Sequence, residues 1–371
     1  MLDAPLALAA SDSTMFKFCR HTRPLYLSTR SYSTQGPKPP LQLVAELRKR
    51  TDVSITKARE ALRASNNDVT AALEWLQKDL VTSGVKKAAK VGHREANEGM
   101  ISAALLSRGC GEGGDGVNAG VRSAMIELNC ETDFVGRNAL FGKLAADIAH
   151  TAAFFTEPMD ANSTPRFFDL PLDAIEACPL MSATDPQKQP TSITVGRAIR
   201  DAIAKLGEKV SLRRACALVQ DSRRRPDRGI RVGSYLHGQV NNPSNGRIGA
   251  VIALMVNSPR LNELLLHTDL TQELAQLERK LARQIVGHET RALWSDDDSE
   301  DQKLDETILY DQAFTMYGGE EANHSVREVL QKWTIEKGLV RLGDTEVTDH
   351  SALIAVDFKK WRVGEVIEDK N

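Results

Sequence analysis

The chain has 371 residues, 41% of them hydrophobic and 26% charged, with a net charge of −2 and an isoelectric point near 6.5. This length allows two or three domains, and the composition is that of a globular protein. The charge balance argues against a protein built mainly to hold nucleic acid, which would carry a strong basic excess. No apolar run is long enough to cross a bilayer, so no membrane-spanning helix is predicted. The five cysteines show no Cys-x-x-Cys pair, which argues against a disulfide framework or a zinc site.

The N-terminal region has the composition of a mitochondrial transit peptide. Between Ser13 and Ala45 there is no acidic residue, whereas basic, serine and threonine residues are frequent. The segment Arg30-Ser-Tyr-Ser33 resembles a matrix-processing site with cleavage after Tyr32. We therefore predict a transit peptide over residues 1–32, with a possible N-terminal extension before Met15, and localisation in the mitochondrial matrix. The prolines that follow predict an extended linker over residues 33–40.

Three short helical patterns follow within about forty residues. We predict that Ser54 begins the second helix and that Asn67 caps the third. The apolar residues of the three helices are Leu43, Val44 and Leu47; Ile55, Ala58 and Leu62; and Val69, Ala72, Leu73 and Leu76. Such a small module cannot enclose a large core and is typical of a docking device. Its apolar patch is compatible with ubiquitin binding and equally with an adaptor for another partner.

The rest of the chain mixes strand and helix patterns without a regular βαβ repeat, which predicts an α+β core. A basic helix is predicted over Lys86–Ala96, and the region 296–306 reads as a solvated acidic loop. Strands are predicted at Gly99–Leu106, Arg122–Leu128, Val210–Val219, Ile230–Leu236, Ile248–Val256 and Ala352–Val363. Helices are predicted over Asn138–Phe155, from Val195 to a stop at Gly207, over Leu274–Ile285, and after a capping box formed by Ser325 and Glu328.

One corner between a strand and a helix stands out, the segment Asn129-Cys-Glu-Thr-Asp-Phe-Val-Gly-Arg-Asn138. It follows the apolar strand Ser123–Leu128 and precedes the helix that continues to Phe155. Asp133 and Phe134 are predicted to lie at its apex. An aspartate there can cap the helix, and a phenylalanine can pack into the core, so the residues alone favour structural roles over a functional one.

Motifs of known catalytic or nucleotide sites are missing from the sequence. There is no Gly-x-x-x-x-Gly-Lys-Ser/Thr loop, His-Glu-x-x-His pair or Gly-x-Ser-x-Gly elbow. A formal Gly-x-Gly-x-x-Gly begins at Gly111, but a strand rather than a helix follows it, so we interpret it as a hairpin loop. No two histidines have metal-ligand spacing, and His237, expected in a turn, is the one singled out. We predict a binding protein rather than an enzyme, with no catalytic residue, metal or cofactor.

Four blocks of the chain resemble, in order, the elongation factor Ts family in its mitochondrial form. They are Leu43–Thr51 with Lys57–Leu62; Asn129–Val135, the family signature; Lys205–Glu208 with Leu212–Arg214, Gly233–Gly238 and Arg247–Gly249; and Ser325–Leu330 with the closing strand. The resemblance covers roughly residues 41–365.

The resemblance implies a UBA-like three-helix module over 41–80 and a linking helix over 81–98. It also implies an α+β core of two subdomains, 99–226 and 227–371, each a small antiparallel sheet packed with helices. The family's activity would be guanine nucleotide exchange: binding mitochondrial elongation factor Tu with GDP and promoting GDP release during translation elongation. No nucleic acid or membrane partner is implied. The alternative is a ubiquitin-type adaptor that uses the three-helix module.

The resemblance also implies which residues bind the partner. Asp133 and Phe134 match the pair that intrudes on the G domain of elongation factor Tu, and Thr132 and Val135 flank that pair. Leu206, Gly207 and His237 match further contact positions on the core. Ile55 and Arg59 match positions on the docking side of the N-terminal module.

Overall fold

The computed structural model describes residues 39–51, 53–112, 119–185, 190–222, 227–239, 243–294, 305–340 and 352–367. The predicted transit peptide, most of the linker and most of the acidic loop lie outside these residues, as does the centre of the glycine-rich hairpin loop. The chain divides into two compact units between Trp75 and Leu76. Within the described residues, no helix is both long and apolar enough to cross a membrane.

Helices α1 (Leu41–Thr51) and α2 (Ile55–Ala64) and the beginning of α3 (Val69–Val91) make up the described part of the first unit. Their small core buries Val44, Leu47, Ala58, Ala61, Leu62 and Ala72. The predicted cap at Ser54 is confirmed, because its side chain accepts a hydrogen bond from the Lys57 backbone N–H.

The predicted cap at Asn67 is wrong by one residue. Asn67 has φ = 66°, in the left-handed region that asparagine tolerates, so it forms the turn before the helix. Asp68 is the cap instead, since its Oδ1 accepts from the backbone N–H groups of Thr70 at 2.7 Å and Ala71 at 3.3 Å.

The third helix is longer than its apolar pattern indicated. It has 23 residues and ends at Val91. The basic helix predicted over Lys86–Ala96 is therefore the C-terminal part of α3, and it ends five residues before the predicted end at Ala96. The segment contains no proline and is rich in alanine and lysine, which favour helix, and Gly92 follows its last residue.

The second unit contains two antiparallel sheets. The five-stranded sheet has the order β3-β4-β2-β1-β6, with β1 Glu98–Arg108, β2 Val121–Cys130, β3 Phe168–Asp169, β4 Val210–Gln220 and β6 Asn245–Gly246. The three-stranded sheet has the order β5-β7-β8, with β5 Arg228–His237, β7 Ile248–Asn257 and β8 Leu353–Arg362. All the strands predicted from the sequence are confirmed, with boundaries shifted by at most two residues.

Helices cover both sheets of the second unit. They are α4 Asp133–Gly136, α5 Ala139–Phe155, α6 Leu172–Ala177, α7 Val195–Leu206, α8 Leu261–Leu265, α9 Thr268–Gly287 and α10 Val326–Glu336, with short 3₁₀ helices at Leu309–Asp311 and Gly319–Asn323. One core cluster packs α5 and α7 on the five-stranded sheet, and another packs α9 and α10 on the three-stranded sheet. A third cluster lies between the sheets.

The second unit is therefore layered as helix, sheet, sheet, helix. Strand alternation produces the layers: in β7, Val251 and Ala253 face the other sheet, whereas Ala250, Ile252 and Leu254 face the helices. The predicted α+β class, with two small antiparallel sheets packed with helices, is confirmed.

A buried ion pair joins α9 to β5. The side chains of Arg231 and Glu278 are 1% and 0% exposed, and the Arg231 Nε–H donates to Glu278 Oε1. Arg231 Nη1 also donates to the Cys110 carbonyl at 2.7 Å. The helix approaches the strand closely at Gly233, where an added Cβ would lie 2.5 Å from the Glu278 Cβ. Sequence patterns did not reveal this pair, because its members are 47 residues apart.

We predict that Glu278→Ala lowers the free energy of unfolding by about 3–5 kcal/mol, because it leaves the Arg231 cation buried without its carboxylate. Urea unfolding followed by circular dichroism measures this. The matched control is Glu263→Ala, which removes an exposed ion pair with Arg260 and should change stability by no more than about 0.5 kcal/mol. Equal effects of the two substitutions would contradict the structural role given to the buried pair.

Candidate partner-binding surface

Two helix caps lie close together in the corner between β2 and α5, one at the start of α4 and one at the start of α5. Thr132 is extended, with φ = −123° and ψ = 156°, and its side chain accepts from the Val135 N–H as the cap of α4. Asn138 then caps α5, accepting from the Leu140 N–H at 2.8 Å. The expectation that Asp133 caps the helix is wrong, because Asp133 is already the first helical residue of α4, and Thr132 and Asn138 do the capping.

Phe134 projects from this corner into solvent. The residue is 82% exposed, more than any other aromatic residue in the described part of the chain. The alternative that it packs into the core is therefore wrong, and it is the next residue, Val135, that is buried. Successive residues of a helix point roughly 100° apart, so Phe134 points away from the core when Val135 faces it.

Asp133 lies beside the exposed ring. Its Oδ2 is 3.0 Å from Nη2 of Arg137, one helical turn later, and both side chains are substantially exposed. An exposed pair of this kind contributes little to stability and is easily exchanged for another partner. The corner therefore presents an apolar ring and an accessible carboxylate next to each other.

Two glutamates tie the corner to the turn that follows α7. The Thr132 N–H and hydroxyl donate to the two carboxylate oxygens of Glu208, at 3.0 and 2.7 Å. In the opposite direction, Glu131 Oε1 accepts from the Lys209 N–H at 2.6 Å. We call these contacts the double carboxylate link. They connect segments 76 and 78 residues apart in the chain.

Arg94 reinforces the double carboxylate link. Its guanidinium is 3.2 Å from the Glu131 carboxylate, and its carbonyl accepts from Lys209 Nζ at 2.7 Å.

The turn after α7 contains two further predicted contact residues. The helix begins with Thr194 as its cap and ends at Leu206, and Gly207 follows with φ = 80°. Its N–H donates to the Ile203 carbonyl at 2.9 Å, so the predicted helix stop at Gly207 is confirmed. The structure thus brings Thr132–Val135 together with Leu206 and Gly207, because Glu208 is bonded to Thr132 and directly follows them.

His237 is not one of the residues joined by the double carboxylate link. His237 is exposed at the last position of β5, not in the turn that begins at Gly238, and its carbonyl accepts from Arg247 N–H at 2.7 Å. A small cleft near it is lined by residues from the end of α4 and from this turn, among them Gly136, Arg137, Gly238 and Arg247.

Ile55 and Arg59 are exposed on α2 of the first unit. The assignment of these residues, like that of the other contact residues, stays a prediction.

Two other residues of the signature, Asn129 and Cys130, have structural roles. The Asn129 side-chain amide donates to the Ala96 carbonyl at 3.0 Å, and Cys130 is fully buried beneath the corner. Burial raises the pKa of the Cys130 thiol to about 12, so it stays protonated and is a poor nucleophile. Within the described residues there is also no group of three His, Cys, Asp or Glu side chains that could hold a metal ion.

Comparison with known proteins is consistent with the earlier resemblance. The sequence profile of the family described as Elongation factor TS matches residues 131–342. A protein of Laccaria bicolor named "Elongation factor Ts, mitochondrial" is 50% identical over 358 residues, covering 96% of this chain and 100% of that protein.

Two further relatives carry the same name. The Coprinopsis cinerea protein is 47% identical over 340 residues, which cover 91% of this chain and 96% of that protein. The Cryptococcus neoformans protein is 34% identical over 360 residues, which cover 90% and 89%. From the signature corner, the matched profile and these relatives it follows that the chain belongs to the elongation factor Ts family.

Proposed function

We propose that this chain accelerates GDP release by pressing Phe134 and Asp133 against the G domain of mitochondrial elongation factor Tu. Members of the elongation factor Ts family exchange guanine nucleotide on elongation factor Tu during protein synthesis. The proposal concerns how this chain performs that exchange and which residues it uses.

The observation that carries the proposal is the exposure of Phe134 on a corner that is itself fixed. An exposed aromatic side chain on a flexible loop could fold away, but α4 is capped by Thr132 and linked to Glu208. The ring therefore remains available to a partner without a large ordering cost on binding.

The physical effect on the partner follows from how G proteins hold their nucleotide. A phosphate-binding loop and a magnesium ion share the phosphate oxygens. Magnesium requires nearly ideal octahedral geometry, so a small displacement of its ligands weakens its binding sharply. An apolar ring inserted between elements of the partner moves such ligands, and the Asp133 carboxylate adds electrostatic competition with the phosphates.

The size of the effect shows that Phe134 does not act alone. Burying one phenylalanine contributes about 1.5–3 kcal/mol, which corresponds to roughly 10- to 150-fold in an equilibrium constant. That is too little to displace a tightly held nucleotide. We therefore assign the remaining binding energy to Thr132, Leu206, Gly207 and His237, and to a second contact through Ile55 and Arg59. Val135 is buried in the core beneath the corner, so its part in binding is to hold the corner in place.

On this proposal the chain acts by binding alone, without forming or breaking a covalent bond. The ubiquitin-type adaptor rested only on the three-helix module, a small part of the region over which the relatives are similar. We propose a docking role for that module, import into the mitochondrial matrix, and a transit peptide over residues 1–32.

We predict that Phe134→Ala slows stimulated GDP release about tenfold or more, because the ring that disturbs the magnesium ligands is gone. Stopped-flow release of a fluorescent GDP analogue from elongation factor Tu measures this. The control is Phe155→Ala, which removes another exposed ring at the far end of α5, a helix roughly 24 Å long at 1.5 Å per residue. Wild-type release by a folded Phe134→Ala protein would remove Phe134 from the mechanism.

Linkage predicts that GDP weakens the complex by the same factor by which this chain weakens GDP binding. Immobilised chain should therefore capture elongation factor Tu from a mitochondrial extract, and added GDP should lower the captured amount in a concentration-dependent way. Capture of ubiquitin without elongation factor Tu would instead favour the adaptor function.

Sequencing the N-terminus of the protein isolated from mitochondria tests the import proposal. We expect the mature chain to begin at Ser33. A start far from this residue would contradict the cleavage site after Tyr32, and an intact Met1 would contradict the transit peptide itself.

A further inference from the structure

We infer that Glu208 is a positioning residue for nucleotide exchange, which fixes the orientation of Phe134 through Thr132. The inference rests on the proposed function, since it assigns a role to a residue that acts through Phe134. Glu208 was not among the predicted contact residues, and its importance appears only when the fold brings it to the corner.

The Thr132 hydroxyl has two roles at once. Its oxygen accepts from the Val135 N–H at 3.4 Å, which caps α4, and its hydrogen is donated to Glu208 Oε1 at 2.7 Å. A hydroxyl has one hydrogen and two lone pairs, so donation to Glu208 directs a lone pair toward the helix. Glu208 thereby orients the group that caps the turn carrying Phe134.

The α4 turn depends on this support because it is short. A helix of four residues cannot stabilise itself, since nucleation fixes several dihedral angles for a single hydrogen bond. Glu208 also accepts from the Thr132 backbone N–H at 3.0 Å, so its carboxylate holds both the main chain and the side chain at the start of the turn. Removing the carboxylate frees both.

The corner has a second attachment that should keep such a variant folded. Glu131 accepts from the Lys209 N–H and is paired with Arg94, and neither contact involves the Glu208 side chain. The loss of Glu208 should therefore loosen the ring without unfolding the corner. Functional sites need their groups held within about 0.5 Å, so this loosening is expected to affect exchange.

The test is a double-mutant cycle in the full-length mature chain, with stimulated release of a fluorescent GDP analogue as the readout. We expect Glu208→Ala to slow release about tenfold, as for loss of a hydrogen bond to a charged group. Glu208→Ala combined with Phe134→Ala should be no slower than Phe134→Ala alone, because a positioning residue has no effect once the ring is missing.

Two further variants separate positioning from other roles. Glu208→Gln should retain most of the exchange activity, because its amide can accept from the Thr132 N–H and donate to the hydroxyl oxygen. Glu263→Ala, which removes an exposed carboxylate on α8, should match the wild type. Urea unfolding midpoints are measured for every variant to verify that it is folded at the assay temperature.

The outcomes are distinguishable. Wild-type release by Glu208→Ala, with Phe134→Ala slow, would overturn the positioning role and leave the proposed function intact. Multiplicative losses in the double variant would also overturn it, because Glu208 would then contact the partner independently. Wild-type release by Phe134→Ala would refute the proposed function itself. If Glu208→Ala is unfolded, a folded Glu208→Gln that releases GDP about tenfold more slowly than the wild type would likewise overturn positioning by hydrogen bonds.

Discussion

The reciprocal contacts between Glu208 and Thr132, and between Glu131 and Lys209, are the interactions on which the rest of the surface depends. They join the end of β2 to the end of α7, and these two places carry most of the predicted contact residues of the core. Each carboxylate accepts a backbone N–H at the end of a secondary structure element, where such donors otherwise lack a partner. Glu208 and Glu131 thereby satisfy backbone N–H groups that need a hydrogen-bond acceptor, and the same contacts make the surface rigid.

Much of the architecture could be predicted because the helices and strands are long and strongly patterned. The helix from Val195 to Gly207 was located at both ends, since a clear apolar stripe is followed by glycine in the left-handed conformation. Shorter elements such as α4, α6 and β3 carry too few residues to show a period. The long α3 was divided in two because its apolar stripe weakens where the helix continues.

At the site, the residue identities could be predicted but their supports could not. The signature segment pointed to Asp133 and Phe134 as the residues at the corner. It wrongly predicted Asp133 as the helix cap in place of Thr132 and Asn138, because several residue types there can cap a helix. The role of Glu208 depends on a contact across 76 residues, which no local pattern encodes. The exposure of Phe134 was likewise open, since a phenylalanine at a corner is compatible with burial and with display.

Gly207 illustrates how evolution is constrained at such a surface. An added Cβ there would meet no atom within 4 Å, so no neighbour in this molecule rejects a side chain, yet φ = 80° disfavours almost every residue except glycine and asparagine. Any side chain introduced at this position would extend into open space beside Leu206, the space that the proposed function gives to elongation factor Tu. Substitution of this glycine is thus limited first by its backbone conformation, and under the proposed function a substitution that tolerates this conformation would alter partner binding rather than folding.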